Sequence, residues 1–553
     1  MIAPKLHHRR RYATELFNIH SVAEISKLRK FILLGLDGME PSLATRWMDA
    51  GRLPHLAALR ARGALLRCAS TRPPVTYPAW TTCVTGVNPG RHGIFDFTRM
   101  ATGRRGISFV NSTYRRVPAL WNVLSNAGRR CAVLGVPGTY PPEAINGVML
   151  SGFDSPVATG VDASFVYPRE RYDDLREWCF AEFQESNIGP GWHAMALERL
   201  LGSIEKKERM ALRLFDEEPW DFFMVVFGES DTVSHHFWMF HDPQSPRFRP
   251  GFETAIQQVY ERLDETVGKF MERVGEDTVV GVVSDHGFGG AGTGVVHLNN
   301  WLAEQGLLAY AGSGESWLKR AALSLVPEQM RGGLFRRFQS LASRAESRSR
   351  FGGIDWSRTK AWSEELNYFP SIWLNLEGRE PDGVVPAAEY NAFVKDLCAK
   401  LEAWDAVAHA WPRAALFDGP EVQHAPDIII ELALENGYSH SCLRGRGGAS
   451  FRRLRPEEYP GGKERGMNGN HRDTGVLFLS EPPSRSSASL LDVAPTVLAV
   501  LGVAGPEMEG SPLLGKGALQ STAPTPQAAP IAEYTPEEAR MIEERMRALG
   551  YYE

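Results

Sequence analysis

Short apolar runs that stop at acidic or turn residues, with helix-like stretches between them, constrain this chain more than any other feature. Phe31-Ile-Leu-Leu-Gly-Leu36 ends at Asp37-Gly38. Comparable runs lie at Arg130 to Val136, Asp221 to Phe227, Thr278 to Ser284, Ser371 to Leu376 and Asp427 to Leu432. A strand apolar at nearly every position, rather than at every second one, is covered on both faces. The spacers read as helices: Pro41 to Ala50, with proline at its start and Gly51 past its end, Ala196 to Phe215, and Phe252 to Val274. Strands alternating with helices predict an α/β fold, a largely parallel sheet with helices on both faces.

At 553 residues the chain can build one large core with an insertion, or two to three smaller domains. Its 43% hydrophobic and 23% charged residues suit a buried core. A net charge of −5 gives no general attraction to nucleic acid or acidic membranes, so no nucleic-acid polymer is expected as partner. No apolar run reaches the roughly 18 residues of a transmembrane helix. The six cysteines are scattered without a Cys-x-x-Cys pair, which argues against a thiolate metal site or a disulfide framework. With no visible signal peptide in the basic N-terminus, a cytoplasmic protein is expected.

Outside the α/β pattern, residues 1–29 read as an N-terminal extension and 30–515 as the core. Within that core, residues 300–353 lack strand signals and carry Arg331-Gly-Gly-Leu-Phe-Arg-Arg-Phe338, so an inserted cap or lid is expected there. The segment suits either a solvated charged face or a membrane-surface helix. Residues 516–553 read as a linker and a C-terminal helix, the latter opened by Thr535-Pro-Glu-Glu538.

Groups that bind metals cluster where the apolar runs end. Asp37 follows the first run; Asp231 and His235, four apart, would share one face of a helix after the third. Asp285-His286 follows the fourth, and His471 stands in the turn-rich Asn468-Gly-Asn-His-Arg472 before a run at Gly475 to Leu479. Open α/β sheets gather ligands at the carboxyl ends of their strands. Carboxylate plus imidazole suits zinc in a hydrolytic site, with manganese or magnesium as alternatives. Each residue alone also reads as a helix cap, a turn residue or a satisfied polar group.

The segment Arg72-Pro-Pro-Val-Thr-Tyr-Pro-Ala-Trp80, followed by Thr85-Gly-Val-Asn-Pro-Gly-Arg-His-Gly93, resembles the nucleophile motif of the alkaline phosphatase superfamily. Within it, the type I phosphodiesterase/nucleotide pyrophosphatase branch fits best. Leu53-Pro-His-Leu56 and Leu491-Asp-Val-Ala-Pro-Thr496 also resemble superfamily segments. The resemblance implies an alkaline-phosphatase-like core and hydrolysis of a small-molecule phosphate ester, with Thr76 as catalytic nucleophile. It further implies two zinc ions, one held by Asp37, Thr76, Asp285 and His286, the other by Asp231, His235 and His471. A cation beside a threonine hydroxyl favours the alkoxide, and a helix starting there favours the phosphoryl oxygens.

The chain departs from the branch at two positions. Ala79 stands where many relatives carry an asparagine that binds a phosphoryl oxygen, and Trp80 where histidine is frequent. Tyr77 and Trp80 are candidates for stacking on a substrate base or aryl group, or else for core packing. A sulfatase is disfavoured, because Thr76-Tyr-Pro-Ala-Trp80 lacks both the cysteine or serine and the arginine of the sulfatase motif. A phosphomonoesterase or phosphoryl transferase would need extra cations, for which Arg72, Arg91 and Arg472 are candidates. A non-catalytic binding protein on this scaffold is the reading from another class. Oligomeric state is left open.

Overall fold

A computed structural model describes residues 29–100, 106–152, 161–179, 188–311, 353–365, 369–445, 447–461, 466–515 and 530–532. Its main element is a nine-stranded sheet. The strand order is Ala488–Ser489, Ala64–Ala69, Thr474–Leu479, Thr278–Val283, Lys30–Leu36, Phe222–Phe227, Cys131–Val136, Gly147–Ser151, Val166–Tyr167. The five strands from Thr278–Val283 to Gly147–Ser151 run parallel. Thr474–Leu479 runs antiparallel to both its neighbours.

The unbroken apolar runs have a direct cause. Ile32, Leu34 and Leu36 point into one hydrophobic cluster, while Phe31 and Leu33 point into another on the opposite face. The first cluster is closed by helices Pro41–Asp49, Trp192–Glu217, Glu229–His241 and Ala255–Met271. The second is closed by Thr76–Thr85, Leu120–Asn126 and Val493–Leu501. Every residue of Phe222–Phe227 and Thr278–Val283 is buried, as a sheet covered on both faces demands. The fold is α/β with a large, mostly parallel sheet, as expected.

Two expected strands go elsewhere. Ser371–Leu374 and Ile428–Leu432 do not join the main sheet. They pair antiparallel in a four-stranded sheet with Ala361–Trp362 and Val407–Pro412, over an apolar core of their own. A third sheet is built on the long strand Gly287–Val296, which pairs with Tyr438–Cys442, Phe451–Arg453 and Gly469–Arg472. This strand leaves the core directly after Asp285-His286, so the smaller sheets sit beside the carboxyl edge of the main one.

Of the expected lid, residues 312–352 lie outside the described residues; on its flanks Tyr310 and Ile354 form an antiparallel bridge. The N-terminal extension through residue 28, most of the linker and the C-terminal helix also lie outside them. Among the described residues, no helix is long and apolar enough to cross a membrane.

Candidate metal centre

Three adjacent parallel strands, Thr278–Val283, Lys30–Leu36 and Phe222–Phe227, deliver Asp285, Asp37 and Asp231 to one edge. Asp37 follows its strand at once, and Asp285 comes one residue after its own, beyond Ser284. Asp231 lies in the first turn of helix Glu229–His241, and His235 stands one turn further on. His471 is not in a turn, as the sequence suggested. It sits in strand Gly469–Arg472, opposite Phe288, so antiparallel pairing with Gly287–Val296 fixes its direction.

The seven expected ligands, including Thr76, are all buried. His235 Nε2 and His471 Nε2 are 3.0 Å apart, and Asp231 Oδ1 lies 3.3 Å from the first and 3.2 Å from the second. His286 Nε2 lies 3.3 Å from Asp285 Oδ2 and 3.5 Å from Asp37 Oδ1. Its ring stacks on that of His471, with centroids 3.6 Å apart. Two sets of ligand atoms lie within 4.8 Å of one another: Asp37, Asp285 and His286, and Asp231, His286 and His471. His286 therefore stands between the two groups.

Backbone carbonyls fix the tautomers. Nδ1 of His235 donates to Gly469 O at 3.0 Å, Nδ1 of His471 to Pro74 O at 2.8 Å, and Nδ1 of His286 to Gly287 O at 3.1 Å. A carbonyl only accepts, so each proton sits on Nδ1 and each Nε2 turns a lone pair toward the carboxylates. Second partners of this kind orient imidazole ligands in metal sites.

The electrostatics are those of a centre built for cations. Burial, with Asp231 nearby, pushes the Asp37 carboxyl well above its ordinary value, and burial with Asp37 does the same to Asp285. Asp37 Oδ1, Asp285 Oδ2, His286 Nε2 and Thr76 Oγ1 are buried without a hydrogen-bond partner. Buried polar atoms are rarely left so, and the three from Asp37, Asp285 and His286, which lie within 4.8 Å of one another, fit a cation. The donor set fits zinc, manganese or magnesium.

Thr76 is the first residue of helix Thr76–Thr85, whose N-cap, Val75, offers no side-chain cap. The Pro74–His471 bond ties the approach to this helix to the ligand cluster. The motif's second half has a structural explanation. His92 Nδ1 accepts the Ile94 N–H and Nε2 donates to Thr82 Oγ1 at 3.0 Å, stitching the loop after the helix back onto it. Burial pushes His92 down to about 3, so it stays neutral. Gly86 and Gly93 take the left-handed caps at φ 69° and 83°.

Tyr77 and Trp80 do not present faces for stacking. Tyr77 is buried edge-on against Phe97. Trp80 is fully buried, and its indole Nε1 donates to Asp37 Oδ2 at 2.8 Å, so its ring packs the core and its polar edge steers a carboxylate. Sequence reasoning misses that role, and also Glu229, which is ion-paired to Lys207 at 2.7 Å in the same helical turn as Asp231. Glu229 is visible beside Asp231; Lys207, on a distant helix, carries no local signal. Of the candidate arginines, Arg91 is 4.0 Å from Glu509, while Arg72 and Arg472 lie near His471.

The fold is shared with solved structures of low sequence identity. The phosphonoacetate hydrolase of Sinorhizobium meliloti 1021, solved with phosphonoformate, superposes with TM-score 0.53 at 16% identity, covering 86% of this chain and 96% of that one. Its complex with phosphonoacetate gives 0.50 at 15% identity, covering 86% and 96%. Murine ectonucleotide pyrophosphatase/phosphodiesterase 5 gives 0.47 at 12%, covering 87% and 98%. No curated protein sequence matches. The chain belongs to the type I phosphodiesterase/nucleotide pyrophosphatase family, whose sequence profile matches residues 31–449. It is a phosphoric ester hydrolase of a metal-dependent family.

Proposed function

We propose that the protein hydrolyses phosphodiesters through a phospho-threonine on Thr76, at a two-metal site with zinc as the preferred ion. Asp37, Thr76, Asp285 and His286 would hold one ion, and Asp231, His235 and His471 the other. When bound, such ions favour the alkoxide of a coordinated hydroxyl and neutralise charge on the phosphoryl group. The observation that supports the reading is the convergence of ligand atoms of Asp37, Asp285 and His286, buried and unpartnered, with Thr76 Oγ1 likewise buried and unpartnered at the start of its helix.

Thr76 Oγ forms the new bond to phosphorus while the bond to one ester oxygen breaks, and the threonine proton leaves with that alcohol. Water then attacks the same phosphorus, releases the phosphomonoester and returns a proton to Thr76. The helix N-terminus at Thr76 favours the phosphoryl oxygens in both displacements. Ala79 offers no side-chain donor to them, so more of that stabilisation falls to the helix and the cations. Trp80 and the three carbonyl-bound imidazoles keep the ligand atoms aimed, which limits reorganisation during the reaction.

The test is metal content combined with turnover of an aryl phosphodiester. Thr76→Ala should retain most metal and the wild-type fold but lose turnover by at least about a thousandfold, and Thr76→Ser should keep activity. Wild-type rates in the alanine variant would show that Thr76 is not the nucleophile.

A further inference from the structure

Strand Gly469–Arg472, which carries His471, runs against helix Glu229–His241, which carries Asp231 and His235, and the two elements meet at more than their ligands. Gly469 sits on the helix backbone: a Cβ there would lie 2.1 Å from Ser234 O and 2.8 Å from Phe288 Cε1. One residue earlier, Asn468 is 1% exposed and bonds the helix three times. Its backbone N–H donates to His235 O at 3.2 Å. Its side-chain Nδ2 donates to His236 O at 2.9 Å, and its Oδ1 accepts the Met239 N–H at 3.2 Å.

An asparagine amide carries a donor group and an acceptor, and here both ends serve the helical turn that follows His235. Asn468 is itself held from behind. Ala291 N donates to its carbonyl at 3.0 Å, and the buried Arg247 donates to Met467 O at 2.9 Å and to Gly292 O at 2.7 Å. The side chain therefore ties the helix to the paired strands Gly287–Val296 and Gly469–Arg472. None of these bonds involves Asp37 or Asp285, which follow strands of the main sheet.

Resting on the two-metal reading above, we infer that Asn468 is a positioning residue for one ion only, the ion of Asp231, His235 and His471. Its amide bonds backbone groups of the helix and would hold no ion itself. It fixes the separation between the helix that supplies two of these ligands and the strand that supplies the third. Ligand distances in a metal site hold to within about 0.2 Å, and groups outside the ligand set keep them there. A strand released from its helix loses that register, while the ligands Asp37, Asp285 and His286 keep their own supports.

Titrating metal-free protein with cobalt(II), a visible stand-in for zinc, tests this without turnover. Absorption gives the two affinities, and the shifted ring N–H protons of ligating imidazoles assign them, two for the ion on His235 and His471 and one for the ion on His286. Asn468→Ala should weaken the two-imidazole ion at least about tenfold and leave the other within about twofold, the former being the lower end of what loss of an outer partner costs. Where Asn468→Ala does not fold, the titration is read on the milder Asn468→Ser. Asn375→Ala is the control: Asn375 is also buried and donates to three carbonyls beside the four-stranded sheet, so its loss should lower Tm and change neither affinity. Unchanged binding of both ions, equal weakening of both, or the same pattern in Asn375→Ala overturns the inference. So does failure of both Asn468 variants to fold while Asn375→Ala folds, because Asn468 would then hold the fold rather than one ion. Wild-type protein that takes up fewer than two cobalt ions overturns the two-metal reading itself.

Discussion

Replacing Trp80 by phenylalanine separates the two jobs of this buried ring. The indole N–H lies 2.8 Å from Asp37 Oδ2, both groups are buried, and the other carboxylate oxygen, Oδ1, faces His286. A hydrogen bond to a charged group contributes about 1.5–3 kcal/mol. At about 1.4 kcal/mol per factor of ten, Trp80→Phe should weaken binding at the Asp37 site by roughly 10- to 100-fold, the range expected when a ligand's outer partner is lost. Phenylalanine lacks the outer indole atoms Cη2 and Cζ3 that lie against Gly35, so the metal-free protein should lose stability through the space they leave, about 1–3 kcal/mol. Chelator competition measures the first quantity and thermal unfolding of metal-free protein the second. Weakened affinity beyond the stability change identifies the N–H as the group that matters. Unchanged affinity in a folded Trp80→Phe protein would refute the argument and reduce Trp80 to a core residue.

Other consequences follow from the same geometry. Stripping metal by chelation should abolish turnover and lower Tm, because ligand binding at about 100 times Kd contributes roughly 2.7 kcal/mol; an unshifted Tm with full activity would remove the metal centre from the account. Gly35→Ala should destabilise by about 1–3 kcal/mol, since its Cβ would lie 2.5 Å from Trp80 Cη2 and 2.8 Å from Val226 Cγ2; denaturant unfolding with wild-type stability would contradict this packing. Aryl phosphodiesters should exceed the matched monoesters in kcat/KM, because a monoester dianion brings one more charge and the described residues form two candidate ligand groups. A monoester preference of about tenfold, or 1.4 kcal/mol, would move the protein to the monoesterase side of the superfamily.

Much of the centre is legible in the amino-acid sequence. The runs ending at Leu36, Phe227 and Val283 are apolar throughout because both faces of their sheet are covered. That burial leaves the residues after them as the first places for polar chemistry, which singles out Asp37, Asp231 and Asp285. His235 follows from the helical repeat, and Thr76 from a motif whose His92 and glycines prove to be a local staple. These signals are local: each depends on residues within a few positions of one another.

What only the tertiary structure decided depends on partners far apart in the chain. His235 and His471 meet across 236 positions, and the strand pairing that aims His471 is set by Phe288, not by the turn-like residues around it. Ser371–Leu374 and Ile428–Leu432 read like the other strands because a short apolar run records its burial but not its neighbour. Trp80 reads as either a stacking platform or core packing because an indole's sequence context does not say which way its N–H points; the fold turns it to Asp37. Sequence thus determined which residues have the chemistry and which segments are buried. Long-range packing determined the direction of each lone pair and N–H, because direction is a property of the assembled sheet edge rather than of any one segment.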